Sequence, residues 1–480
     1  MTANGNDLAW LTITEACSLV ARRLVSPVEL TRAVLDQIDR LEPTLNCFIT
    51  RLDDQALAAA ETAEAALASG GEVGPLHGIP IAVKDNIETA EIRSTAGSKI
   101  LAGYVPREDA PAWARLKAAG AIMLGKTNLH EFGFGTTTIN PHYGSTRNPW
   151  NPDHVPGGSS GGSAAAVSAG MAMGALGTDA GGSVRIPGAL CGVVGLKQTQ
   201  GRVPIRGAMR GGNPTRDHIG PITRTVGDAA LLLAVMSGHD PRDPTSRDVA
   251  APPETLSAET NLRGLRVGVP LDYYFAFVDA PVEAAVRTAI GHLGELGAEV
   301  HEVRLPDHDI LMDGLDAIRA EALVDHEHWL RTRLEDYGEE TQVRLLALQF
   351  ILANDHAKAL RARRLLLERY AAVWREVDLL AAPTVAVPAP TIAAAQSSAV
   401  MVNRKPYSAG TLSQLTRPSN YTGLPAISVP CGFVDELPVG LMLVGRPFDE
   451  QTLFRAANAY EQTTTWHQQR PPLSTVSPSA

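Results

Sequence analysis

Two serines in glycine-flanked clusters are the residues best placed to do chemistry. Residues 157–163 read Gly-Gly-Ser-Ser-Gly-Gly-Ser and residues 179–185 read Asp-Ala-Gly-Gly-Ser-Val-Arg, joined by a run of small apolar residues. Glycine reaches backbone conformations closed to other residues and leaves amide N–H groups unshielded, so a serine after Gly-Gly can sit beside converging donors. An oxyanion hole requires that convergence. A serine hydroxyl is a weak nucleophile and also needs a base. Neither cluster contains a histidine. Lys84 ends the apolar run Ile81-Ala82-Val83, which reads as a short buried strand, and the carboxyl ends of such strands are where open α/β sheets place their sites. A lysine there either turns out into water or serves as the missing base.

Three readings of the serines compete. Residues 157–161 fit a G-x-S-x-G elbow, with Ser159 as nucleophile and a histidine as base, but that elbow follows directly from a strand and residues 151–156 read as loop. Alternatively, both clusters are anion nests or tight turns with no chemistry. In the third reading Ser183 is the nucleophile, Ser159 relays its proton and Lys84 is the base. Lysine accepts a proton only when neutral, so burial must bring its pKa from ~10.4 to around 7 or 8, at a cost of about 3 to 4 kcal/mol. Ser/Lys arrangements of this logic occur on unrelated folds. A non-catalytic scaffold is the contrasting class of hypothesis.

The elements around these residues alternate. Thr12 and Ser26 begin capping boxes, the second with proline at the first helical position. Asp109 is expected to cap a helix that Gly120 ends. Residues 120–127 match the phosphate-loop pattern G-x-x-x-x-G-K-T letter for letter, yet the order here is helix, glycine, strand, whereas a phosphate loop places its strand before the first glycine. Strands are expected near 265–269, 300–305, 378–382 and 441–444, with helices over 279–296 and 450–461. Between about 313 and 377 the chain reads as helical, with a core-facing or lid-forming stripe through Leu346, Phe350, Ala353, Ala357, Leu360, Leu367, Tyr370, Trp374 and Val377. The alternation implies a mostly parallel sheet wrapped by helices. With no repeat and no linker, residues 1–480 are expected as one domain: N-terminal helices to about 70, a catalytic core over about 71–240, a helical layer over about 310–377, and a frayed tail over about 471–480.

Hydrophobic content of 44%, charged content of 20% and a net charge of -10 describe an ordinary soluble protein. No basic block stands out, and aromatics at 5% are too sparse for base stacking, so no nucleic-acid partner is expected. No run reaches the ~18 apolar residues of a membrane span. The N-terminus lacks the features of a secretory signal. The four cysteines have no paired spacing, as for free thiols in a reducing cytoplasm, and no metal site is expected.

These motifs carry a resemblance. Residues 157–187, with Gly-Thr-Asp-x-Gly-Gly-Ser-Val-Arg-x-Pro over 177–187, and the lysine motif over 78–85 are similar to those of the amidase signature family. The separations agree with typical members: 24 residues from Ser159 to Ser183 and 75 from Lys84 to Ser159. The likeness extends through 125–131, 220–225 and 422–430 to 445–447. It implies an α/β fold with a mixed, mostly parallel central sheet covered by helices on both faces. It also implies Ser183 as nucleophile, Ser159 as bridging serine after a cis peptide, and Lys84 as base. The amides of Ala180, Gly181, Gly182 and Ser183 would form the oxyanion hole, with Ser160, Thr178, Asp179 and Arg185 in support and no cofactor. Members cleave amides, ureas, carbamates and hydrazides, and one branch supplies ammonia to a tRNA-dependent amidotransferase. The tyrosine-rich stretch of that branch is not visible at 352–358, so a stand-alone cytoplasmic hydrolase of a small-molecule amide, monomeric or homodimeric, is the expectation. Arg202, Arg206, Arg210 and Arg216 crowd one loop and offer a place for an anionic substrate, although solvated loop arginines are the commoner outcome. Residues 383–399 suit the wall of an acyl or aryl pocket, or a mobile lid.

Overall fold

Strands and helices alternate along the chain as the hydrophobic patterning requires, and the order in which the strands pair decides where the site lies. The computed structural model describes residues 8–71, 73–208, 212–397 and 399–473. Its strands are β1 (Phe48–Arg51), β2 (Pro80–Lys84), β3 (Ile122–Thr127), β4 (Gly174–Thr178), β5 (Val194–Lys197), β6 (Ile219–Thr223), β7 (Arg266–Pro270), β8 (Glu299–Val303), β9 (Leu379–Pro383), β10 (Val400–Val402), β11 (Lys405–Tyr407), β12 (Ala426–Val434) and β13 (Leu437–Gly445). Eleven of them form one sheet in the order β1-β3-β2-β4-β6-β5-β12-β13-β9-β7-β8, and β10 with β11 makes a separate ribbon. The sheet is mixed, as expected. Parallel pairs join β3, β2 and β4 on one side and β9, β7 and β8 on the other. Antiparallel strands connect the two groups.

Strands β2, β4, β5, β6 and β9 are buried along their whole length. That pattern belongs to strands covered by helices on both faces, and it explains why they read as unbroken apolar runs. The helix Gly161–Ser168 packs against β2, β4 and β6. A Cβ at Gly162 would lie 2.5 Å from both the Asn128 and the Cys47 carbonyl oxygens, far inside contact distance. Only glycine lets this helix sit so low on the sheet.

Both capping boxes form, with Thr12 and Ser26 accepting from the Glu15 and Glu29 amides. Asp109 does not cap its helix. The helix Pro111–Ala118 starts after Ala110 with no side-chain cap, while Asp109 accepts from the Ala90 amide at 2.7 Å and from Lys117. Proline at the first position has no N–H to satisfy, which lowers the demand for a cap. The phosphate-loop lookalike is a strand, with Lys126 buried and donating to the Ile87 carbonyl, Thr89 and Ser94.

The expected helical layer is broken into the helices His308–Leu315, Leu323–Thr332, Glu339–Leu348 and Ala353–Val373 with short turns between. The expected stripe therefore fails in part: Phe350 is 84% and Leu360 42% exposed. The break at 349–352 shifts the helical phase, and Leu345, Leu348, Ala359, Leu366, Tyr370 and Val373 take the buried positions. At the C-terminus Leu473 is buried, and the remainder of the expected tail lies outside the described residues.

One long-range contact fastens the N-terminal helix. Asp228, on the helix Val226–Met236, accepts from the amides of Ile13 and Thr14 at 3.0 and 2.9 Å and from the Thr14 hydroxyl at 2.9 Å. Asp228→Ala leaves those helix-end donors unpaired in a buried place, and is expected to lower unfolding free energy by about 2 to 4 kcal/mol. Urea denaturation of the purified variant checks this, and an unchanged midpoint would rule the contact out as a stabiliser.

Candidate active site

Strand β2 lies between β3 and β4, both parallel to it, and brings Lys84 to its carboxyl end with no exposed surface. The outward-turned alternative for this lysine is closed. Its Nζ lies 2.8 Å from Ser159 Oγ and 2.7 Å from Thr178 Oγ1, and Asn86 donates to the same threonine oxygen at 3.1 Å. Burial pushes the Lys84 amine down to about 7, against the opposite pull of Asp179 and Asp217. No carboxylate touches the amine, so desolvation dominates. A neutral amine that donates to Thr178 keeps a lone pair for the Ser159 hydroxyl proton.

The peptide bond Gly158–Ser159 is cis. Ser159 is 1% exposed and engaged with Lys84, which removes it as the open nucleophile of an elbow. Ser183 ends in a cavity of about 230 Å³ that also exposes Ala180 and Gly181. Among the described residues the Ser183 hydroxyl makes no hydrogen bond. The two serine segments are joined through the backbone, the Ser160 amide donating to the Ser183 carbonyl at 3.2 Å. Catalytic hydrogen bonds are often loose without substrate and tighten in the complex. Lys84, Ser159 and Thr178 are therefore in direct contact, and Ser183 lines the cavity beside them.

The loop before Ser183 is built on Asp179. Its Oδ1 accepts from the Gly182 amide and its Oδ2 from the Val184 amide, at 2.8 and 3.2 Å. Arg185 donates to both oxygens at 3.0 Å, and Asn420 to Oδ1 at 2.8 Å. Burial alone would push this acid upward, but Arg185, Asn420 and Lys197 hold Asp179 well below the usual carboxylate range. The oxyanion-hole expectation needs one correction: the Gly182 N–H is spent on Asp179, whereas those of Ala180, Gly181 and Ser183 have no partner among the described residues. Ser160 supports the turn from behind, its hydroxyl donating to the Thr178 carbonyl at 3.2 Å and accepting from the Thr178 amide at 3.3 Å.

Several contributors carry no motif of their own. Thr416 donates to the Gly181 carbonyl at 2.7 Å, and Ser419 accepts from Arg185 at 2.6 Å. These residues and Asn420 arrive from more than 230 positions downstream. The only signal for them is a polar run just before the motif at 422–430. Of the crowded loop arginines, Arg216 lines the cavity. Arg202 is buried in an ion pair with Glu450 at 2.8 Å, Arg206 pairs with Glu108 at 2.9 Å, and Arg210 lies outside the described residues. Within the stretch 383–399, the Pro390 carbonyl accepts from the Val155 amide and the Ala389 carbonyl lies 2.6 Å from His154 Nδ1. Ala395 and Gln396 line a neighbouring cavity with His130 and Arg344. No group of histidine, cysteine or acidic residues suited to a metal ion is present among the described residues, and none of their helices is long and apolar enough to cross a membrane.

Comparison with known proteins extends the geometry. The chain matches the Amidase family over residues 29–454. It is 43% identical to the A subunit of the glutamyl-tRNA(Gln) amidotransferase of Chloroflexus aurantiacus, across 97% of this chain and 99% of that protein. Among solved structures it superposes on the corresponding protein from Thermotoga maritima with a TM-score of 0.78 at 35% identity, covering 95% of this chain and 96% of that one. A protein from a vestigial complex tied to the origins of an s-triazine catabolic enzyme gives a TM-score of 0.88 at 33% identity, covering 94% and 98%. These relatives correct the partner expectation. Proteins matched end to end are named as one component of an enzyme acting on a tRNA, so a lone chain with no nucleic acid in its surroundings is not what the family likeness supports. That expectation rested on the missing basic block and the few aromatics of the chain itself, which say nothing of contacts made through another protein. The relatives also place the amidotransferase branch ahead of the stand-alone hydrolase. This chain belongs to the amidase signature family and is an amidase, a hydrolase of carboxamide C–N bonds.

Proposed function

We propose that this chain is the glutaminase component of a tRNA-dependent amidotransferase, releasing ammonia through an acyl-enzyme on Ser183. The observation that carries this is the 43% identity, over nearly all of both chains, to the A subunit of such an amidotransferase. The stretch 352–358, whose composition favours a stand-alone enzyme, contributes no residue to the cavity at Ser183. The four cysteines are free thiols, in keeping with work in the cytoplasm.

In this reading neutral Lys84 takes the Ser159 proton as Ser159 takes that of Ser183, and the Ser183 oxygen attacks the carboxamide carbon. Charge developing on the carbonyl oxygen meets the amides of Ala180, Gly181 and Ser183, a donor set worth about 3 to 4 kcal/mol for each member lost. The relay then returns the proton to the leaving nitrogen, and ammonia departs from the acyl-enzyme. Water, deprotonated by the same relay, hydrolyses the ester and restores Ser183. Asp179 and Arg185 hold the loop so that its amides need no reorganisation during the step. Partner subunits would take the ammonia to the tRNA-borne carboxylate.

Ser183→Ala is expected to lower glutamine hydrolysis by about 10⁴-fold or more with the fold intact. Ammonia release, and glutamine-dependent amidation of glutamyl-tRNA with partner subunits added, measure it. Full turnover in the variant would refute the nucleophile, and absence of tRNA amidation would refute the assembly. Because Lys84 must be uncharged and its amine sits at about 7, kcat/KM is expected to fall about tenfold per pH unit below that value and to level off above it. A profile flat from pH 5 to 9 would exclude Lys84 as the base.

A further inference from the structure

A second cavity lies apart from the one at Ser183. It measures about 350 Å³, shares no lining residue with the first, and forms where the N-terminal segment, the turn before Val226 and the C-terminal segment meet. Trp10, Glu15, Arg224, His467 and Arg470 line it. Two guanidinium groups stand over the single Trp10 ring, that of Arg224 at 5.9 Å and that of Arg470 at 4.6 Å from its centroid. Arg224 is only 7% exposed. It donates to the carbonyls of Leu11, Val167 and Ala172, while its buried Nε has no partner among the described residues. Val167 lies in the last turn of the helix Gly161–Ser168, so this cation closes the far end of the helix that begins beside Ser160. Arg470 is exposed and makes no hydrogen bond or ion pair to any described residue. His467 Nδ1 is buried and also unpartnered, and burial holds its imidazole below the usual range.

Little negative charge answers these groups. Glu15 is the one carboxylate in the lining, and its Oε2 already accepts from the Thr12 amide and hydroxyl. Asp228 acts on Arg224 through space, but its two oxygens are taken by the Ile13 and Thr14 amides. Desolvation pushes Arg224 down to about 10, with Arg470 adding to that push and Asp228 and Glu15 opposing it. We infer that this cavity binds a phosphate group, as free phosphate or as a small phosphate monoester, between Arg224 and Arg470. A guanidinium carries several N–H donors and no acceptor, and a phosphate presents acceptor oxygens on more than one side. The indole holds both cations in place, so less side-chain freedom is lost when the anion arrives. The anion also offsets the repulsion between the two cations. The site is independent of the chemistry at Ser183.

Calorimetric titration of the full chain with inorganic phosphate, glycerol 3-phosphate and acetate, at constant ionic strength, tests this. Either phosphate is expected to occupy one site per chain and to bind at least about tenfold more tightly than acetate. The thermal unfolding midpoint should rise by about 3 °C at a phosphate concentration about 100 times the dissociation constant. Arg470→Gln, at an exposed position, should weaken phosphate by about tenfold, with part of the loss recovered in Arg470→Lys. Arg319→Gln, in the other cavity, should leave phosphate binding unaltered. Tighter binding of the monoester identifies an organic phosphate as the occupant, and tighter binding of inorganic phosphate identifies the free ion. No saturable binding of phosphate below about 10 mM would overturn the inference. So would equal affinity for acetate, an affinity unmoved by Arg470→Gln, or binding lost in folded Arg319→Gln.

Discussion

An amine without water is the constraint on which this structure turns. Lys84 is one of three fully buried lysines in the core, with Lys126 and Lys197. Each is pushed down by desolvation before any other influence. What separates them is what they touch. Lys126 is enclosed by a carbonyl and two hydroxyls that lead nowhere, and Lys197 meets the Gln198 carbonyl and a buried histidine. Lys84 alone meets a serine whose loop continues to a cavity. The parallel register of β2 against β4 makes this possible, because it sets the end of one strand beside Thr178 at the end of the other.

A second constraint is a charge kept ionised by its surroundings. Asp179 organises the turn before Ser183 by accepting two backbone amides as well as Arg185 and Asn420. A buried ion pair contributes little net stability, but removing one partner strands the other and is strongly destabilising. The pair is better understood as a geometric device. It points a peptide segment in one direction and ties that segment to the chain around Ser419 and Asn420, so that the loop cannot shift without moving distant structure.

The charges around the cavity are placed by the same kind of long-range packing. Several arginines are matched: Arg185 to Asp179, Arg202 to Glu450, Arg417 to Asp316. Arg319 has no ion pair among the described residues, and burial and Arg216 press against its protonated form while Asp316 favours it; Arg216 gives one donor to the Ala180 carbonyl.

Much of this is legible in the residues themselves. Glycine-flanked serines, a lysine at the end of an apolar run, and fixed separations between them are local properties, because backbone freedom, strand burial and loop chemistry follow from residue type. The capping boxes at Thr12 and Ser26 are legible for the same reason. The outcomes that differ depend on space. Asp109 has the sequence of a cap but its carboxylate goes to Ala90, the Gly182 amide is claimed by Asp179, and a helical stripe changes phase where the chain breaks at 349–352. Ser419 and Asn420 give almost no signal, since a polar residue shows its role only when the partner that folding brings to it is known. Sequence by itself determined which groups could react and which backbone could approach them. Tertiary structure decided which charges were paired and with what, because pairing between residues hundreds of positions apart is set by packing and not by composition.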